Sequence, residues 1–537
     1  MNKIKSIGFA LTFVLCFVCF PSIQNVKAES LIYIRNDGTV EGTNKIQRQG
    51  NSYTLLEDLI GSIYDMDVFI TIEKDNIVFD GNQKTIQGTK SGIGIEARGR
   101  TNITIQNLRI SDVGIGIKFY GKDHDRNTTA SNNQFLNNHI EATYFSMDLS
   151  TNNGTVSGNT LISRTDKYGI MFNGNNTVVS NNKFVASGLI VYETLVGNAC
   201  FNNTINGKPL VYLQSQSNQI IDEAAQVILM GCNNITVRNV NTPVQLRVII
   251  NLFGTNNTKI SNCNGNMFLT NSHDNIIVDN QLEDKATMVS YNTAAIKLYA
   301  SNNNTIKGNS IVAMGSEGFG LSGSSYNNVQ GNQISSTGEA GIKIELTSVF
   351  NYIQENSIIC PEGGIYFKNG AQNNFVLNNL ITECKNAIML FSSPENTFVA
   401  NNISKSTQYA IYLAMSDNNT FYHNNFLYNS VAFYEQHDFI YPFVTTYYSE
   451  GNTWDNGKEG NYWSDYTGKD TNNDGIGDTQ YTISGSKHDH YPLMNPVHIS
   501  AIPEFPSWTV LPIIATAILL ATVFRKKYTK HQKQNSA

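Results

Sequence analysis

Residues 306–311 read IKGNSI, and the phrase returns as VQGNQI (329–334), IQENSI (353–358), FVLNNL (375–380), FVANNI (398–403) and FYHNNF (421–426). Marking the asparagine of the pattern apolar-x-x-Asn-x-apolar gives Asn309, Asn332, Asn356, Asn378, Asn401 and Asn424, with intervals of 23, 24, 22, 23 and 23 residues. Earlier, VSGNTL marks Asn159 and a looser NNKF marks Asn182, again 23 apart. A period of this length with Gly and Asn punctuation needs a fold in which each unit is one coil. Apolar residues alternate between the markers: Ile342 and Ile344 are expected to point inward, Lys343 and Glu345 outward. Runs of three to five apolar residues are strand length and too short for helices. The expected fold class is therefore all-β, a right-handed parallel β-helix with coils of about 23 residues. The asparagines are expected at αL turns, with their side chains stacked as amide ladders. The pattern blurs around Asn239, Asn262 and Asn280, and an insertion is expected near Asp284 to Asn292.

Composition agrees. Of 537 residues only 15% are charged, the net charge is −6, and the mean hydropathy is −0.25. So few charges exclude a charge-swollen disordered chain and a helical bundle rich in Glu, Lys and Arg. Polarity comes instead from about 70 asparagines, residues that favour turns over helix interiors. With 37 Lys+Arg against 43 Asp+Glu and no basic stripe, no nucleic-acid partner is expected.

The ends give an address. Lys3 and Lys5 precede an apolar run from Ile7 to Phe20, then Val26-Lys27-Ala28, which reads as a signal peptide over 1–28 cleaved after Ala28. Trp508 to Phe524 is an uncharged run followed by Arg525-Lys526-Lys527, which reads as a transmembrane helix over 508–524 with a cytoplasmic tail over 525–537. Between them the expected order is an N-terminal cap with the first strands (29–74), the β-helix (75–440), a C-terminal cap with an Asp/Asn-rich loop (441–495) and a linker (496–507). The expected location is the cell surface, single-pass anchored, with the N-terminal domain outside. Pro503-Glu504-Phe505 in the linker resembles the PEF-type sorting signal of archaeal surface proteins, which implies possible replacement of the helix by a lipid.

Longer phrases resemble a known family. IYIRNDGTVEGTNKIQRQGNSYTL (32–55), DNIVFDGNQKTIQG (75–88), TNITIQNLRI (101–110), NNTINGKPLVYL (202–213), AQVILMGCNNITVRNV (225–240) and GNYWSDYTGKDTNNDGIGDTQYTI (460–483) are similar to the NosD-like, CASH-type β-helix proteins. That resemblance covers most of 31–495 and implies the same β-helix. NosD proteins are named for a role in delivering copper to nitrous oxide reductase. Copper delivery wants Cys, Met or His clusters; the eleven Met are scattered, and the densest His group is His488-Asp489-His490 with His498 nearby. His488 and His490 are the candidate copper ligands, two residues apart on one face of a strand, though solvated histidines are the commoner outcome of such a pattern.

The best local motif is Asp470-x-Asn472-x-Asp474-Gly475-Ile476-x-Asp478. Oxygen ligands at positions 1, 3, 5 and 9, with the Ile476 carbonyl at 7, suit a hard cation such as Ca²⁺ in a structural role. Tyr481 stands where a bidentate Glu would close a sensor loop. Without a metal, the same residues make a connection rich in Asx turns.

Carbohydrate chemistry is the rival to metal chemistry. Acids in the best-repeated region are isolated (Glu317, Glu339, Glu345, Glu355, Glu362, Glu383, Glu395, Asp417), with no Asp-Asp pair, although residues distant in sequence can meet across coils. Catalytic residues therefore stay unassigned. Tyr291, Tyr299, Tyr326, Tyr352, Tyr366, Tyr409 and Tyr412 lie in or beside the coils, and exposed rings with amide neighbours suit sugar faces. The expected function is a membrane-anchored surface β-helix protein that recognises a glycan or builds an envelope or adhesive layer. The alternatives are a polysaccharide lyase or glycoside hydrolase, and a copper-delivery protein. Sequons at Asn102, Asn127, Asn153, Asn234, Asn303, Asn402 and Asn418 follow largely from the repeat phrase itself. Five Cys remain beyond the signal peptide (Cys200, Cys232, Cys263, Cys360, Cys384), odd in number and spread out, and they read as buried fillers.

Overall fold

A computed structural model describes residues 31–499 apart from 65–66, 122–129, 165–167, 192–195, 242–248, 285–293, 316 and 437–448. The signal peptide, the tripeptide at 503–505, the apolar run over 508–524, the basic tail, Tyr291, Asn127 and nearly all of the expected insertion lie outside the described residues. Every regular element among the described residues is a strand, and no helix there is long and apolar enough to cross a membrane. The chain divides into two compact units, 1–185 with 189–199, and 186–188 with 200–537.

Each unit is a parallel β-helix. In the first, Phe79, Ile105, Phe135, Val156 and Val179 stand in one inward column, joined by parallel pairing at steps of 26, 30, 21 and 23 residues. Two antiparallel hairpins precede these coils: Ile46–Gln49 pairs with Ser52–Leu55, and Ile32–Ile34 pairs with Val40–Glu41. In the second unit the corresponding column is Leu229, Leu252, Leu269, Leu298, Leu321, Ile344, Phe367, Leu390 and Leu413, at steps of 23, 17, 29 and then 23 throughout. The short and long coils are where the repeat phrase blurs, and the long one contains 285–293. All nine of these side chains are fully buried. Ile342 and Ile344 point inward and Lys343 and Glu345 outward, as alternation predicts. Removing each such side chain from water stabilises the coil by about 1.5–3 kcal/mol.

The amide ladders are present, but one detail of their reading changes. In the second unit Asn280, Asn309, Asn332, Asn356, Asn379, Asn401, Asn424 and Asn461 stack, each Oδ1 from Asn309 onward accepting from the backbone N–H and Nδ2 of the asparagine one coil before. These asparagines do not have positive φ. From Asn280 to Asn424 the αL position is the residue before: Asp279, Gly308, Gly331, Glu355, Asn378, Ala400 and His423, with φ between 55° and 65°. Asn378, marked by the sequence pattern, is therefore the turn residue and its neighbour Asn379 the ladder residue. A second ladder runs through Asn304, Asn327, Asn351, Asn374, Asn396 and Asn419. Around Asn262 the pattern blurs because buried Cys263 occupies the ladder position there, its N–H donating to Asn280 Oδ1 at 3.0 Å.

Candidate functional site

Outward residues of the second unit's largest sheet form their own column: Phe268, Lys297, Gly320, Lys343, Tyr366, Met389, Tyr412 and Tyr434. Gly320 matters because a Cβ there would stand 2.7 Å from Lys297 Cδ. Its absence lets the Lys297 stem lie flat across the next coil, so that Nζ reaches Glu345 Oε1 at 3.0 Å. Lys343 Nζ donates to Glu317 Oε1 at 2.9 Å and to Glu339 Oε2 at 2.7 Å. Burial works against the Lys343 charge, but the bonds to Glu339 and Glu317 outweigh it and hold the ammonium above its ordinary value. Burial likewise opposes the Glu345 carboxylate, and the charge and hydrogen bond of Lys297, with Lys343 behind, keep it below the usual range. The result is an ion-pair cluster on an outer face of the coil, largely shut off from water at Lys297, Lys343, Glu317 and Glu345 and open at Glu339.

Beyond Lys343 the surface opens into a groove of about 440 Å³ lined by Glu339, Glu362, Tyr366, Asn386, Met389, Phe391 and Tyr412. These residues lie one coil apart on successive turns, which is how acids and tyrosines isolated in sequence come to share one wall. Gly363 keeps the groove open, since a Cβ there would meet Met389 Cε at 2.6 Å. Burial, reinforced by Glu339, raises the Tyr366 hydroxyl above its ordinary value. Burial, with Tyr434 and Tyr409 beside it, does the same for Tyr412. Both phenols therefore stay protonated at neutral pH. Tyr412 donates to Gln436, while Tyr409 stacks on Tyr434 with centroids 4.5 Å apart, bracing the far wall. Asn386 Oδ1 is shut off from solvent and has no hydrogen-bond donor. This arrangement offers ring faces, hydroxyl donors and amide and carboxylate acceptors together, the chemistry that holds a polyhydroxylated ligand.

Of the tyrosines singled out from sequence, the groove gathers Tyr366 and Tyr412, and Tyr409 supports it. Tyr299, Tyr326 and Tyr352 stand exposed elsewhere, the last two stacked on Phe350 and Phe375. Glu339 and Glu362 were individually visible in sequence but not as a pair. Their 23-residue separation, equal to the period, is the signal that places them side by side.

The loop over 470–478 brings its oxygen side chains together through Asx turns. Asp470 accepts from the backbone N–H of Asp474 and Gly475, Asp474 from that of Ile476, and Asp478 from that of Thr471. Asn472 donates from Nδ2 to Asp474 at 3.0 Å. The loop is sewn to the segment after it by Gly477 N–H to Pro492 and by Met494 N–H to Gly475. Tyr481 turns away from the loop, stacks on Trp463 at 4.4 Å and donates to Asp465. Of the histidines, His490 Nδ1 lies 3.0 Å from Asp455 Oδ2, and the rings of His488 and His490 are 6.2 Å apart. Between them Asp489 is buried, accepting from Asn461 N–H and Trp463 Nε1. The five described cysteines are free thiols, four of them buried.

Three stretches, 44–224, 212–382 and 285–468, match the family described as periplasmic copper-binding protein (NosD). The chain belongs to the NosD family. No curated protein matches it in sequence. Among solved structures it is similar to the A-module of a mannuronan C-5 epimerase of Azotobacter vinelandii (13% identity over 66% of this chain and 90% of that one, TM-score 0.27). It is also similar to a periplasmic alginate epimerase (13%, 59% and 72%, TM-score 0.30). A third is the catalytic unit of an α-1,3-glucanase of Streptomyces thermodiastaticus (11%, 80% and 65%, TM-score 0.24). The copper in the NosD description can be tested against the donors present. Copper asks for thiolate, thioether or imidazole sets. Burial pushes the Cys263 thiol up to about 11 and raises Cys384 further, which disfavours the thiolate a metal would need. Among the described residues no group of three or more His, Cys, Asp or Glu side chains is arranged to hold a metal ion. Among the described residues, the candidate copper ligands His488 and His490 are thus not joined by a third His, Cys, Asp or Glu in a metal-holding arrangement.

Proposed function

We propose that this NosD-family β-helix acts at the cell surface by holding a glycan chain in the groove beside Tyr366 and Tyr412. The observation that carries the reading is the groove itself, where two protonated tyrosines stand with Asn386, Glu339 and Glu362 along successive coils. Placement outside the cell rests on the apolar runs at 7–20 and 508–524 and the basic cluster after the second. The 470–478 loop is given a structural part, clamping the cap through its Asx turns and its bonds to Pro492 and Met494.

The test is affinity electrophoresis or calorimetry of the full chain in detergent against a polysaccharide panel. Retention without turnover supports the reading, new reducing ends or unsaturated products make the chain an enzyme, and no binding returns it to a purely structural role. Tyr366→Ala is expected to weaken binding about tenfold, ~1.4 kcal/mol, as for loss of one aromatic platform. Copper is checked separately. Titration with Cu⁺ is expected to show no stoichiometric site, whereas a site lost on replacing both His488 and His490 would move the assignment to copper delivery.

A further inference from the structure

We infer that the groove prefers glycans carrying protonated amines and disfavours polyuronates; this rests on the glycan-binding reading of the same groove. Its lining carries two carboxylates, Glu339 and Glu362, and no cation. The two occupy equivalent places on successive coils, since Gly341 N–H donates to the Gly363 carbonyl just after them. Coils are about 4.8 Å apart, so the carboxylates form one negative edge. Both side chains are about half exposed, 50% and 59%, and therefore reachable.

The cations facing this edge leave that balance in place. Lys343 is 12% exposed and shared between Glu317 and Glu339, with Glu345 at 3.8 Å. Lys385 approaches Glu362 only to 3.7 Å with half of its side chain in water, a geometry worth little. Lys368 lies 5.9 Å from the Tyr366 ring centroid, on the neighbouring column. An incoming ammonium pairs with these half-exposed carboxylates, whereas a uronate carboxylate faces two like charges. Specificity of this kind comes from the repelled ligand as much as from the favoured one.

The experiment uses the full chain in detergent and three oligosaccharides of equal length: a glucosamine oligomer with its amines protonated, its N-acetylated counterpart, and an oligomannuronate. The glucosamine oligomer is expected to bind about five- to tenfold tighter than the N-acetylated one, as two half-exposed ion pairs allow, and the margin shrinks as salt is raised. Glu362→Gln is expected to remove most of the margin, weakening the glucosamine oligomer more than its N-acetylated counterpart. Equal or tighter binding of the oligomannuronate, or a margin unchanged in Glu362→Gln, overturns the inference. Failure of all three to bind overturns the glycan-binding reading beneath it, a distinct result.

Discussion

Asn379→Ala is expected to destabilise the second unit by about 3–5 kcal/mol, while Asn378→Gly, one residue earlier, changes stability by less than about 0.5 kcal/mol. Asn379 Oδ1 accepts from both the N–H and the Nδ2 of Asn356, at 2.9 and 3.0 Å. Its own Nδ2 donates to the Ile353 and Leu377 carbonyls and to Asn401 Oδ1. Alanine thus strands several buried polar groups at once in a place with no exposure to water. Each unsatisfied group costs roughly 1–3 kcal/mol, less whatever the coil recovers by relaxing. Asn378, by contrast, is there for its positive φ, which glycine adopts without strain. Denaturant unfolding combined with hydrogen exchange reads both the size of the loss and its place. Because each coil contacts chiefly its neighbours, protection should fall first around 353–403. Equal losses in the two variants would mean that the turn, and not the ladder, carries the asparagine requirement.

Lys343→Met is expected to cost about 3 kcal/mol or more, because it leaves a buried carboxylate without its partner. Glu317 is 8% exposed; its Oε1 is held by Lys343 and its Oε2 has no hydrogen bond. Pairing the change with Glu317→Leu should restore much of the loss, since two apolar groups in this site need no counter-charge. The pH dependence separates the contributions. Glu345 is depressed in the folded chain, so its stabilisation is present above the ordinary carboxylate range and disappears as pH falls through and below that range. Lys343 is raised, so its contribution is complete below the ordinary lysine value and declines as pH climbs past it. The cluster therefore stabilises most fully between about pH 5 and pH 10. The methionine variant should lose the alkaline decline while the acid one persists, because Lys297 still faces Glu345. An unchanged alkaline limb would show that Lys343 is not the group responsible.

The architecture was legible because a β-helix writes its geometry into the chain as a period. Twenty-three residues make one circuit, strand alternation sends Ile342 and Ile344 inward, and the recurring asparagine marks one position per coil. What alternation could not separate was the pair Asn378 and Asn379. Both residues are asparagine, and only backbone geometry tells the one that bends from the one that bonds. The 17-residue coil escaped for a related reason: where Cys263 takes the ladder position, the marker disappears while the column beneath continues; the 29-residue coil spans the insertion expected near Asp284 to Asn292.

The groove was less legible than the fold. Glu339, Glu362, Tyr366, Asn386 and Tyr412 are ordinary outward residues when read along the chain. They become neighbours because stacking converts a separation of one period into about 4.8 Å, and one wall of the site draws on several coils. From the sequence alone came the period, the inward columns and the low charge, since these are local and repeated. Which outward side chains meet, and that Gly320 and Gly363 clear the space for them to do so, was decided only by tertiary structure, because lateral register between coils depends on the length of every circuit at once.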